Sequence, residues 1–393
     1  MLKSKQKGIW ERAFLIALAI FGFSLSLDPD WSSKALIPVI AVSLINIRIN
    51  KSLIKAPSFY VVLLIFGYTL VNAWFFRVSP DMEMLSVPIC LFMFFYVLVL
   101  SKKLNEKSFR ITLYSFSAGV LLVGIANLMV YFMGSGPPQD FYEAWNKTTI
   151  VDIHKIYYGV YVNLMVAIIW HYTFINRRLN FLIFFIVLGF SWAMFYFTGA
   201  KSSMFINVVL LVLFLIQKMW TKKAKLITSI MTLLPIIIML ALSSTKVQGY
   251  FIKIDGEASR IRNYTINQKL ILEKPLFGHG IGNEFNIMQK NRGENSWEYK
   301  NGYNAHNQYF HILLGGGLVL LAFYILVIFY VGNGSSNQFL LPSYFVLIVA
   351  YVCLIESFFE RHHGAFFTTF FICLFIGWNK KLKMHDAQKR TDQ

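Results

Sequence analysis

Tyr303-Asn304-Ala305-His306-Asn307-Gln308-Tyr309-Phe310 closes a polar loop and opens directly into the apolar run His311 to Val331. Roughly 20 apolar residues carry a helix across a bilayer core, so this junction is where the chain passes from water into lipid. Runs of the same kind recur along the chain. Their approximate limits are 13–27, 34–47, 58–76, 84–100, 111–133, 156–175, 181–197, 203–219, 226–243, 306–331, 339–357 and 365–378. Open strand edges are not tolerated in lipid, so an all-α, polytopic membrane protein of about 12 transmembrane helices is expected. The composition agrees. Of 393 residues, 56% are hydrophobic and 14% charged, where soluble domains carry about a quarter charged.

The net charge of +18 is explained by topology, with no need for a nucleic-acid partner. With the N-terminus in the cytoplasm, most Lys and Arg fall on inside segments. The short outside loops then hold only Lys34, Arg77, Lys147, Lys155, Lys201 and Arg361. This is the positive-inside bias, and an even number of spans puts both termini in the cytoplasm. The basic start (Lys3, Lys5, Lys7, Arg12) resembles a signal peptide but lacks a clear small-residue cleavage site, and reads as a retained first helix. Cys90, Cys353 and Cys373 sit within apolar runs and read as small buried hydrophobes.

Three segments follow. Residues 1–180 hold spans 1–6, residues 181–335 hold a core with a long outside loop at 244–305, and residues 336–393 hold spans 11–12 and a basic tail. The loop lies between spans 9 and 10 and carries short helices. One is expected over Ser259 to Glu273, stopped by Pro275. The turn-rich Pro275-Leu276-Phe277-Gly278-His279-Gly280-Ile281-Gly282 follows, where backbone can approach a neighbour closely. Gly315-Gly316-Gly317 lies inside a span. No Lys-Ser/Thr follows it, so it favours close packing or a bend over phosphate binding.

A water-side site on a membrane protein suits a substrate carried on lipid, and the usual activation there is a diphosphate leaving group. Such chemistry needs cations and a base. Arg260 and Arg262, near the start of the loop helix, offer guanidinium forks for phosphate oxygens. Lys201 stands at the outer tip between two spans. The ordinary role of Lys201 is contact with lipid headgroups, and that of Arg260 and Arg262 is solvation in the loop or the same headgroup contact. His306 at the junction is the candidate base, and Asn307 a candidate to orient substrate or ring. A metal site built from His279, His311, His362, His363, Glu356 and Glu360 is not assigned. His306 and His311 are five apart, which splays them around a helix, and no His-Glu-x-x-His occurs.

Together these pieces resemble the O-antigen ligase and polymerase family of membrane glycosyltransferases. Thr198-Gly199-Ala200-Lys201-Ser202-Ser203 resembles the family's turn between two spans. Ser259-Arg260, Tyr264 and Pro275-Leu276-Phe277-Gly278-His279-Gly280 resemble its loop segment. Ala305-His306-Asn307-Gln308-Tyr309 with Gly315 to Leu318 resembles its His-Asn entry into the next span. The resemblance covers roughly residues 190–330. It implies an inverting, metal-independent enzyme without cofactor, in the bacterial inner membrane with its site on the periplasmic face. It would move glycan from undecaprenyl diphosphate to an acceptor, most simply lipid A-core (an O-antigen ligase). The alternatives are a repeat-unit polymerase and, from a different class, a transporter of lipid-linked glycan. By the same resemblance His306 is the catalytic base and Arg260 grips the donor diphosphate. Lys201 stands where the family has arginine, keeping the charge but losing the fork. Tyr264 replaces the family's Trp, and Arg262 is an additional candidate.

Overall fold

The computed structural model describes residues 2–45, 54–78, 82–101, 103–133, 151, 153–175, 181–218, 255–333 and 340–391. The run expected at 226–243 lies outside them. The described residues form helices and connecting turns, with no strand among them. In chain order they are α1 (Leu2–Ser24), α2 (Pro29–Leu44), α3 (Pro57–Phe75), α4 (Met82–Phe94, continued by a π-helical turn Phe95–Leu100), α5 (Glu106–Met133), α6 (Lys155–Ile175), α7 (Phe181–Thr198) and α8 (Lys201–Lys218). After the undescribed stretch come α9 (Asp255–Glu273), the short α10 (Glu284–Lys290) and α11 (Trp297–Lys300), then α12 (Gln308–Gly332), α13 (Leu341–Ile355) and α14 (His362–Thr391).

By length and apolar composition, Pro57–Phe75, Glu106–Val130 and Gln308–Gly332 can each cross a membrane. Leu85–Leu100, Leu182–Thr198, Lys201–Ile216 and Leu341–Ile355 are shorter apolar helices. The ends follow local chemistry. Asp28 accepts from Asp30 N–H at 2.8 Å to start α2, with Pro29 in the first turn. Asn105 and Ser108 exchange hydrogen bonds of 2.8 Å at the start of α5, an arrangement that satisfies two otherwise orphan donors.

The interior is built from phenylalanine. Phe94 and Phe370 pack edge to face at 5.3 Å, Phe116 and Phe371 at 5.0 Å, and all four are fully buried. In α14, Phe367, Phe370, Phe371, Leu374 and Phe375 have no exposed surface, so this helix is central to the bundle. α6 is equally buried and is tied to α8 by amides. Asn163 donates to the Ser203 carbonyl at 2.9 Å, and Asn207 donates to Asn163 at 3.0 Å. Polar pairs inside an apolar bundle fix the register of the helices they join.

The two ends of the bundle differ. At one end Lys103 donates to the carbonyls of Ser43 (3.2 Å) and Ile45 (2.7 Å) at the C-terminal end of α2, and Lys381 to that of Leu104 (2.9 Å). His362 begins α14, about 27 Å from Lys380 along the helix axis. At that opposite end sit the loop helices and the acidic residues described next.

Candidate functional site

α9 begins at Asp255, four residues before the expected Ser259, and ends at Glu273 ahead of Pro275. The segment after it docks on α12. There the helix breaks, because Gly317 has φ 64°, ψ −164°. The freed amide and carbonyls bond across the gap: Leu318 N–H donates to the Pro275 carbonyl (2.8 Å), and the carbonyls of Leu314 and Gly315 accept from His279 N–H (2.6 Å) and Gly280 N–H (3.0 Å). Asn72 of α3 clamps the same turn, donating to the Phe277 carbonyl at 2.9 Å and accepting from Ile281 N–H at 2.8 Å. The expected bend at the triple glycine is thus a docking seam. The His279 ring donates to the Leu270 carbonyl at 2.7 Å, within this scaffold.

His306 lies just ahead of α12 with φ 45°. Apart from glycine, only Arg77 shares the left-handed region among the described residues. The conformation is costly for a histidine and persists only when neighbours fix it. They do so at both peptide groups. His306 N–H donates to Asn304 Oδ1 at 3.0 Å, and the Tyr264 hydroxyl donates to the His306 carbonyl at 3.2 Å. Asn263, one position earlier on α9, donates to the Asn304 carbonyl at 2.8 Å. Asn307 caps α12 by accepting from Phe310 N–H (3.0 Å), and its amide donates to the Leu354 carbonyl at the end of α13 (3.1 Å). Both ends of the Asn307 amide are therefore engaged with backbone.

The His306 ring packs on Tyr303, centroids 4.1 Å apart, and its Nδ1 lies 3.4 Å from Glu356 Oε2. Glu356 follows α13 directly and its side chain is 7% exposed. Burial pushes its carboxyl up. The contact with His306 and the charges of His306, His154 and Arg361 outweigh that and hold it below the ordinary range, so it is an anion at neutral pH. Burial pushes the nearby His154 imidazole down, and the Arg361 charge adds to this. Nδ1 thus faces the carboxylate, at a geometry short of a hydrogen bond, and Nε2 is the other ring nitrogen, the one that does not make this contact.

The other candidates distribute as follows. Lys201 is the first residue of α8, whose start faces the end of α13 across a small gap lined by Ser202, Ser203, Tyr351 and Ile355, the residue before Glu356. Position 260 precedes Tyr264 by one turn on the same face of α9; the Arg260 side chain lies outside the described residues. Arg262 Nε donates to Glu298 Oε1 at 2.8 Å, and the Glu298 side chain is 2% exposed. Removing Arg262 would take from that buried carboxylate one of its charge partners. Arg262→Ala is therefore expected to loosen the loop, read as faster amide exchange over residues 284–306. A shifted donor KM with unchanged exchange would assign the guanidinium to substrate instead.

Glu356, Glu360, Glu284, Asn304 and His154 were not candidates for glycosyl transfer from the sequence. The available signal was Glu356 standing within the apolar run 339–357, since an acid in such a run marks function more often than solvation.

Residues 184–325 match the family model described as O-antigen ligase, a span that holds Lys201, Arg260, Arg262, His306 and Asn307. No curated protein matches the chain. Across residues 184–325 the chain is therefore similar to the O-antigen ligase family.

Proposed function

We propose that the chain is an inverting glycosyltransferase. It would take glycan from a polyprenyl-diphosphate carrier to an acceptor hydroxyl at the outer face of the membrane, most simply as an O-antigen ligase acting on lipid A-core. The observation that carries this reading is the His306–Glu356 pair, a 3.4 Å contact on a left-handed, doubly fixed backbone at the head of a membrane helix. His306 Nε2 takes the proton of the acceptor hydroxyl as its oxygen bonds to the anomeric carbon. The bond from that carbon to the diphosphate oxygen breaks, and its electron pair leaves with the diphosphate. One displacement inverts the anomeric centre. Arg260 and Lys201 supply positive charge toward the leaving group, and Glu356 stabilises the imidazolium that forms. Asn307 acts through the backbone, holding α12 to α13.

The test is reconstitution in proteoliposomes with a purified lipid-linked glycan, offering lipid A-core and a second lipid-linked repeat in competition. Transfer to lipid A-core supports the ligase, and transfer to the repeat makes the chain a polymerase. Glycan crossing the bilayer with no acceptor present would make it a transporter. Activity should persist in EDTA, and strict metal dependence would overturn the mechanism. Glu356→Gln keeps the shape of the pair and removes its charge. It is expected to lower kcat by about a hundredfold or more, with donor KM little changed. Wild-type kcat in that variant would remove Glu356 from the mechanism.

A further inference from the structure

A cavity of about 260 Å³ lies between α3, α4, α12, the segment after His279 and the turn that follows α13. One wall is acidic. Glu284 is 5% exposed and lines it together with Glu360, and His311 stands between them. His311 Nδ1 is 2.7 Å from Glu360 Oε1, but its Nε2 is 3.8 Å from Glu284 Oε1, beyond hydrogen-bond reach. Glu284 Oε2 accepts from Gly282 N–H at 2.8 Å. One face of a buried carboxylate is thus left toward the cavity without a close donor. The rest of the lining includes aromatic and apolar residues, with Phe285 and Tyr324 among them.

The wall is joined to the candidate base. Glu360 Oε2 accepts from the Asn304 amide at 2.7 Å, and the Asn304 oxygen accepts from His306 N–H at 3.0 Å. Neither Lys nor Arg is among the described residues that line this cavity, so it lacks the guanidinium or ammonium groups that a diphosphate needs, and the leaving group is placed elsewhere. A sugar ring has the complementary character, with hydroxyl donors around its edge for carboxylate oxygens and C–H faces for aromatic rings. Direct displacement places the entering hydroxyl and the departing diphosphate on opposite sides of the anomeric carbon, and the base belongs to the entering side.

We propose that this cavity is the subsite for the sugar ring of the acceptor, with Glu284 and Glu360 accepting its hydroxyl hydrogens and Phe285 covering one face. The assignment of the ring to the acceptor rests on the glycosyl-transfer reading above. The presence of a sugar subsite can be measured without it.

Two measurements on the full-length protein separate these. In the first, Glu284→Gln and Phe285→Ala are assayed in proteoliposomes. Phe285 is 46% exposed, so its truncation leaves the fold in place. Each is expected to raise the acceptor KM by about tenfold, with donor KM unchanged, as expected for loss of a hydrogen bond or an apolar contact made in ground and transition states alike. A rise in donor KM instead, or no change in either, overturns the proposal. In the second, saturation-transfer NMR follows the core oligosaccharide freed from lipid A by mild acid, using His306→Ala protein, which cannot turn it over. A signal lost on adding Glu284→Gln supports the subsite even if wild-type protein transfers nothing, in which case the glycosyltransferase reading falls alone. Transfer in the wild type with a signal indifferent to Glu284→Gln removes the subsite and leaves the transferase reading intact.

Discussion

His306→Ala abolishes glycan transfer while the protein still inserts and folds. A positioned general base contributes about 10²–10⁴ in rate, and here the same ring also lies against the Glu356 anion, so the loss falls at the upper part of that range. Alanine confounds two effects, because position 306 has φ 45° and its backbone is held by Asn304 and Tyr264. His306→Asn separates them. Asparagine enters the left-handed region more readily than most residues and offers no basic nitrogen. Both variants are expected to be inactive, with His306→Asn as thermally stable as the wild type. Transfer near the wild-type rate in His306→Asn would show that the backbone geometry, and not the imidazole, is what the reaction needs. Partial recovery of activity at higher pH in either variant, with hydroxide or an ionised acceptor standing in for the lost group, would support His306 as the base.

The sequence made one half of this arrangement visible. His306 stands where a polar loop becomes an apolar run, a boundary that lipid imposes on any chain, and some helix limits were legible for the same reason, although the run expected at 365–378 belongs to a helix that continues to Thr391. The apolar run at 181–197, for example, became α7 (Phe181–Thr198). The acidic half was hidden. Glu356 lies fifty residues after His306, Glu360 shortly beyond it, and Glu284 before it. Only the packing of α12 against α13 and the docking of the loop bring them to one place. Charges at the ends of apolar runs also look like ordinary solvated loop residues, because side-chain direction is not written in spacing across separate helices. Arg262 shows the reverse. Its sequence position suggested a phosphate ligand, whereas the folded loop gives it a buried carboxylate partner that no local pattern announces.

Gly317→Ala is expected to remove stability and activity together. At φ 64°, ψ −164° the backbone is in a region that is essentially restricted to glycine, and forcing a side chain into it costs about 1–3 kcal/mol before any contact is counted. The added methyl would also lie 2.6 Å from the Phe277 amide nitrogen and overlap the Leu276 carbonyl, both parts of rigid backbone. The Pro275–Gly280 turn would have to lift from α12, breaking the bonds from Leu318 to Pro275 and from His279 and Gly280 to α12 carbonyls. That turn also orients the start of α10, where Glu284 sits against Gly315. Loss at residue 317 thus reaches the acidic wall beside His306 without touching either residue. The measurement is thermal unfolding in detergent beside the transfer assay, with Gly189→Ala as control, since nothing lies within 4 Å of a methyl at that helical position. The control is expected to be neutral or slightly stabilising, as Ala is favoured over Gly inside helices by about 1 kcal/mol. If Gly317→Ala unfolds at the wild-type temperature with full activity, the docking seam does not hold the site. The coupling between the broken helix and the catalytic loop would then have to run through α9 and α13 instead, by the Tyr264 and Asn307 contacts.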